Sequence, residues 1–122
     1  MIKKRKILVV DDDPTILKLL QGVLAHEGFE VSTAKDGIDA MVFVKKHQPD
    51  LIILDIMMPE LNGYDVCHTL KFDPDYKDIP IIILTSRDQE LDPRIGKIMG
   101  IDYMQKPLDR ALLLGKIQEI LK

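Results

Sequence analysis

The sequence predicts an α/β domain, with one parallel β-sheet covered by helices on both faces. The first observation behind this is a series of short apolar runs at Ile7–Val10, Val31–Ala34, Leu51–Leu54, Ile81–Leu84 and, more weakly, Tyr103–Gln105. Three of them, "ILVV", "LIIL" and "IIIL", lack the polar alternation of a strand with one wet face, as expected where both faces are buried. The second observation is that the segments between them carry helical rather than strand periodicity. Strand–helix alternation of this kind implies right-handed crossovers, which lay helices on both sides of the sheet. At 122 residues the chain is long enough for one such domain and its core.

The elements follow in order. After the first run, Asp13 suits a helix N-cap, Pro14 the first helical position, and Gly28 the residue past the end of a helix over Pro14–His26. Within that helix Ile16, Leu17, Leu19, Leu20, Val23 and Leu24 fall on one side of a wheel, and Lys18, Gln21 and Gly22 on the other. A second helix is expected from about Gly37 to Lys46, and a third from about Gly63 to Phe72. A fourth opens at Asp92-Pro93 and carries Gly96, so its intrinsic helicity is low. The fifth occupies about Asp109 to Leu121. There Leu113, Leu114, Ile117, Ile120 and Leu121 form a continuous stripe for the sheet. Leu112 falls outside the stripe, among Gly115, Lys116 and Glu119, and is expected on the surface.

Composition sets the outer limits on function. Apolar content of 46% and charged content of 30% are those of an ordinary soluble globular protein. A net charge of -3 with no basic stripe argues against direct nucleic-acid binding. Lys3-Lys4-Arg5-Lys6 resembles the start of a signal peptide, but the four apolar residues after it are too few for the apolar region of one. No apolar run approaches the ~20 residues needed to cross a membrane. The single cysteine, Cys67, excludes an internal disulfide and suits a reducing compartment. The expected location is the cytoplasm.

In sheets of this kind ligands collect beyond the carboxyl ends of the strands. The residues there are Asp11, Asp12 and Asp13 in "ILVVDDDP", Asp55 in "LIILDIMMPELNG", Thr85 and Ser86 in "IIILTS", and Lys106 in "YMQKPL". Three carboxylates where the chain leaves its core need an explanation. At ~4 Å and an effective dielectric of ~20, each like-charged pair costs about 4 kcal/mol. Asp13 is accounted for as a cap, and Asp11 and Asp12 could serve only as a charge pair at the helix dipole. The alternative is a bound Mg²⁺, which prefers hard oxygen ligands and would neutralise the cluster. A carboxylate can also act as a nucleophile and form an aspartyl-phosphate. Asp55 is the best candidate for that role, because it stands alone at its strand end while the Asp11–Asp12 pair is better placed to hold metal.

The segments "ILVVDDDP", "LIILDIMMPELNGYDVC", "DIPIIILTS" and "YMQKPL", in this order and spacing, resemble those of response-regulator receiver domains, the phosphoacceptor modules of two-component signalling. The likeness covers residues 1–122. It implies a flavodoxin-like (βα)5 three-layer sandwich with a five-stranded parallel sheet in the order 2-1-3-4-5. It further implies that Asp55 accepts a phosphoryl group from the phosphohistidine of a sensor histidine kinase or histidine phosphotransferase. By the same resemblance Asp11, Asp12, Asp55 and the backbone carbonyl of Met57 hold Mg²⁺, directly or through water. Lys106 pairs with Asp55 and then with the phosphoryl oxygens. Thr85 hydrogen-bonds the phosphoryl group, and Tyr103 follows Thr85 as the aromatic member of the switch. The implied role is a signalling switch that catalyses its own phosphorylation and slow dephosphorylation, not an enzyme with a metabolite substrate. The face built by the fourth helix, fifth strand and fifth helix, including Leu112, would meet a downstream protein or output domain, or a second copy in a phosphorylation-dependent dimer. The chain departs from the family in having one residue fewer between Gly100 and Tyr103.

Two other readings compete. "VVDDDPT" also fits the nucleophile motif of haloacid-dehalogenase-like phosphatases, with Asp11 as nucleophile and Asp13 as general acid, but this leaves "LDIMMPELNG" unexplained. The chain could instead be a degenerate receiver acting as a constitutive binding module.

Overall fold

The computed structural model describes residues 4–56, 63–85, 101–106 and 109–121. Five strands, β1 (Lys6–Val10), β2 (Glu30–Ala34), β3 (Leu51–Asp55), β4 (Ile81–Thr85) and β5 (Ile101–Gln105), form one sheet in the order β2-β1-β3-β4-β5. Every pairing is parallel. Around it stand four described helices: α1 (Pro14–His26), α2 (Gly37–His47), α3 (Gly63–Lys71) and α4 (Arg110–Ile120). The last of these is the fifth helix of the sequence reading, since the expected fourth lies outside the described residues. So do Met57 and Ser86.

The strand pleat sorts the core into two layers. Leu8, Val10, Ile52, Leu54, Ile81 and Ile83 point to one side, where α2 and α3 cover them with Ala40, Val44, Val66 and Leu70. Ile7, Val9, Leu51, Ile53, Ile82 and Leu84 point to the other, beneath Leu20 and Leu24 of α1 and Leu113 and Ile117 of α4. β1, β3 and β4 are thus buried on both faces, which is why their sequences show no alternation.

Local signals fix the helix ends. The Asp13 carboxylate accepts from Thr15 N–H at 2.9 Å, with Pro14 at the first helical position. Past α1, Gly28 takes φ +93°, the left-handed region that glycine enters without strain. β1 begins one residue earlier than its apolar run, because Lys6 N–H donates to the Asp50 carboxylate at 2.7 Å and its carbonyl accepts from Asp50 N–H. β5 is longer than its apolar content suggests, since Ile101 already pairs with Ile81.

One expectation about α1 is corrected. Leu19, placed on the apolar side of the wheel, is 54% exposed. Leu20 and Leu24 point straight at the sheet, and a residue one position earlier is turned past the edge of the surface that α1 covers. For α4 the wheel holds: Leu113 and Ile117 are buried, whereas Leu112 is 66% exposed.

Cys67 is fully buried in α3, and burial pushes its thiol up to about 12 against a smaller opposing pull from Lys71. A thiol this far from ionisation is a poor nucleophile. Cys67 is therefore expected to resist iodoacetamide at pH 8 in the native protein and to react fully in urea. Rapid labelling without denaturant would show that α3 packs loosely.

Candidate functional site

The carboxyl ends of β1, β3, β4 and β5 bring four polar side chains to one rim. Asp11 follows β1, Asp55 ends β3, Thr85 ends β4 and Lys106 follows β5. The register makes this convergence unavoidable: Val10 pairs with Leu54, Asp55 with Leu84, and Thr85 with Gln105. Backbone bonds lock the rim, with Ile56 N–H donating to Leu84 O at 3.1 Å and Lys106 N–H to Thr85 O at 2.6 Å.

Asp11 has no exposed surface and Asp55 is 6% exposed, whereas Asp12 faces solvent. Carboxylate oxygens of all three lie within 4.8 Å of one another. Asp11 is held from two sides. Its Oδ1 accepts from Asp13 N–H at 2.9 Å, and its Oδ2 from Lys106 Nζ at 3.1 Å. The same ammonium lies 3.7 Å from Asp55 Oδ1. Burial alone would lower the pKa of Lys106. The hydrogen bond that Lys106 donates to Asp11 and the charges of Asp11 and Asp55 outweigh burial and hold it above the usual lysine value. A cation set against the two buried carboxylates, Asp11 and Asp55, offsets the repulsion expected where the acids meet. The donor set of hard oxygens, one of them on the exposed Asp12, also fits Mg²⁺ with its retained waters.

Thr85 is fully buried, and its hydroxyl donates to the Met104 carbonyl at the long distance of 3.4 Å. Tyr103, the residue before that carbonyl, is half-buried against the α2–α3 layer. Tyr103 and Leu112 also line one groove of about 520 Å³ along β5 and α4, together with Met104, Ala111, Gly115 and Lys116. Asp13 stands at the rim, but its carboxylate is occupied as the α1 cap. The cap accounts for Asp13 without the phosphatase alternative.

Gly63 opens α3. It also supports the site: a Cβ there would lie 2.6 Å from the Asp55 carbonyl oxygen and 2.7 Å from Ile56 Cα. Its own N–H donates to Ile56 O at 3.0 Å. Backbone on both sides of the contact cannot yield as a side chain can. Gly63→Ala is expected to cost about 1–3 kcal/mol in urea denaturation and to shift the end of β3. Unchanged stability would mean that α3 can start elsewhere.

Comparison with known proteins agrees with this geometry. Residues 7–118 match the model of the response regulator receiver domain. The Pseudomonas aeruginosa protein PilH is 39% identical over 117 residues, covering 95% of this chain and 97% of that protein. The Caulobacter vibrioides response regulator PleD is 38% identical over 120 residues, but the match covers only 26% of its length. The chain thus spans nearly all of some relatives and about a quarter of others. Among solved structures, the Vibrio cholerae chemotaxis protein CheY4 superposes with a TM-score of 0.87 at 30% identity, covering 98% of this chain and 100% of that one. A response regulator receiver domain protein from Clostridium thermocellum gives 0.86 at 28% identity, covering 96% and 94%. The strand order, the acid rim and a family match over most of the chain lead to one assignment: this chain belongs to the response-regulator receiver family.

Proposed function

We propose that the chain, residues 1–122, is a phosphoacceptor receiver domain whose Asp55 takes a phosphoryl group from a partner's phosphohistidine. The observation that supports this best is the approach of the Asp11, Asp12 and Asp55 oxygens to within 4.8 Å, with Lys106 reaching both buried members. An Asp55 oxygen attacks phosphorus, the P–N bond breaks, and the imidazole leaves with the bonding pair. Asp11 and Asp12, with Asp55 and the carbonyl of Met57, are the residues that would hold Mg²⁺. The bound ion would supply charge neutralisation for the transferring group. Lys106 is placed to leave Asp11 and pair with the phosphoryl oxygens. Thr85 can exchange its weak bond to Met104 for a stronger, charge-assisted one to the phosphoryl group. Because that carbonyl adjoins Tyr103, the exchange would bias the β5–α4 surface toward one of two arrangements.

The reaction is the chain's own phosphorylation and slow dephosphorylation, carried out as a signal in the cytoplasm. Among the described residues no helix is long and apolar enough to cross a membrane. The test is incubation with acetyl phosphate. Intact mass should show one phosphoryl group per chain with Mg²⁺ and none with EDTA. Failure to label under any condition would favour the constitutive binding module instead.

The groove lined by Tyr103 and Leu112 is the surface through which a downstream protein, an output domain or a second phosphorylated copy would dock. Leu112→Glu should leave labelling by acetyl phosphate unchanged and weaken phosphorylation-dependent association about tenfold or more. Association equal to wild type would remove Leu112 from that surface.

A further inference from the structure

The outward face of α2 carries a second surface, unrelated to the acid rim. Ile38 and Val42, one turn apart, are 53% and 50% exposed, while Gly37, Ala40 and Val44 fill the opposite, buried side. The 100° step of a helix sets Val42 at the middle of the exposed face. Asp39 and Lys46 lie to one side of it, Ile38 and Lys45 to the other. All four are exposed. The helix places its acid in the first turn and its bases in the last, as its own dipole favours. Among the described residues none of Asp39, Lys45 and Lys46 is engaged in an ion pair within the chain.

An acid three residues before an apolar centre, and a base four residues after it on the same side, make a face complementary to itself under a two-fold axis. We infer that α2 is a docking surface for α2 of a second copy of this chain, packed antiparallel about Val42. In that arrangement Val42 meets Val42, and Ile38 lies on the aliphatic stem of the partner's Lys45. Asp39 faces the partner's Lys46 twice, once on each side of the axis. A parallel pairing would set Lys46 beside the partner's Lys45 and Asp39 beside the partner's Ile38, with no contact between opposite charges, so the charge order selects the antiparallel one. This surface lies on the layer that covers β2 and β1, away from the β5–α4 groove, and its pairing needs no phosphoryl group.

Sedimentation velocity on the unphosphorylated full chain tests the inference over a range of concentrations. Wild type should self-associate, and Asp39→Lys or Lys46→Asp should each raise the dissociation constant at least about tenfold, since each change creates two repulsive pairs. Mixing these two variants should restore association as a heterodimer, because every facing pair is then of opposite sign. Val42→Glu should abolish it in all backgrounds. A wild type that stays monomeric at every concentration, a mixture no better than its components, or a dimer indifferent to Val42→Glu would each overturn the proposal.

Discussion

Asp55→Asn is expected to take up no phosphoryl group from acetyl phosphate and Mg²⁺, a fall of at least about a hundredfold in labelling. The amide is close to isosteric with the carboxylate but has no anionic oxygen to attack phosphorus. It also removes one of three mutually repelling charges, two of them in the buried cluster. The variant should therefore fold, and in EDTA it should be at least as stable as wild type. This pairing of outcomes separates loss of the nucleophile from loss of structure. Undiminished labelling on another residue, located by tandem mass spectrometry, would refute the role assigned to Asp55. Labelling of Asp12 in its place would point to the same pocket but to a different nucleophile.

The second large effect concerns Lys106. In the structure it is closer to Asp11 than to Asp55, at 3.1 against 3.7 Å. Without metal it is therefore the cation that neutralises a carboxylate having no exposed surface. Lys106→Ala should cost about 1–3 kcal/mol in EDTA, short of a fully buried pair because its own side chain is 27% exposed. Mg²⁺ should restore much of that loss and bind the variant more tightly than wild type, since no ammonium competes for Asp11. Phosphotransfer should nevertheless fall, because the group that would stabilise the phosphoryl oxygens is gone. The pH dependence follows from the raised pKa of Lys106. A base held above its unfolded pKa contributes stability that is complete below that value, and this is lost as pH climbs through the folded one. The wild-type advantage over Lys106→Ala should hold at neutral pH and shrink above the ordinary lysine value of 10.5. An advantage that grows with alkaline pH would contradict the pairing.

Much of the site is legible in the sequence because each member follows an apolar run, and parallel pairing brings all such ends to one rim. What the sequence leaves open is how the members share their contacts. Nothing in "YMQKPL" indicates that Lys106 sits nearer to Asp11 than to Asp55, since that depends on where the end of β5 falls beside β4. The support from Gly63 is equally hidden. A turn glycine and one against which backbone packs look alike in sequence, and only the contact with Asp55 separates them. Leu19 shows the limit of a helical wheel, which gives directions around an axis but not the width of the sheet beneath it. The apolar pair on α2 escapes notice for a related reason: Ile38 and Val42 look like core residues until Ala40 and Val44 are seen to occupy that side.

Phosphoryl transfer to Asp55 is tested most directly by a crystal structure of the full chain grown with Mg²⁺ and trifluoroberyllate, a mimic of the phosphoryl group. Beryllium is expected on an Asp55 oxygen, and the metal about 2.0–2.1 Å from its carboxylate ligands among Asp11, Asp12 and Asp55. Lys106 and Thr85 should then point at the fluorines. Trifluoroberyllate on any other residue, or metal held away from these acids, would contradict it.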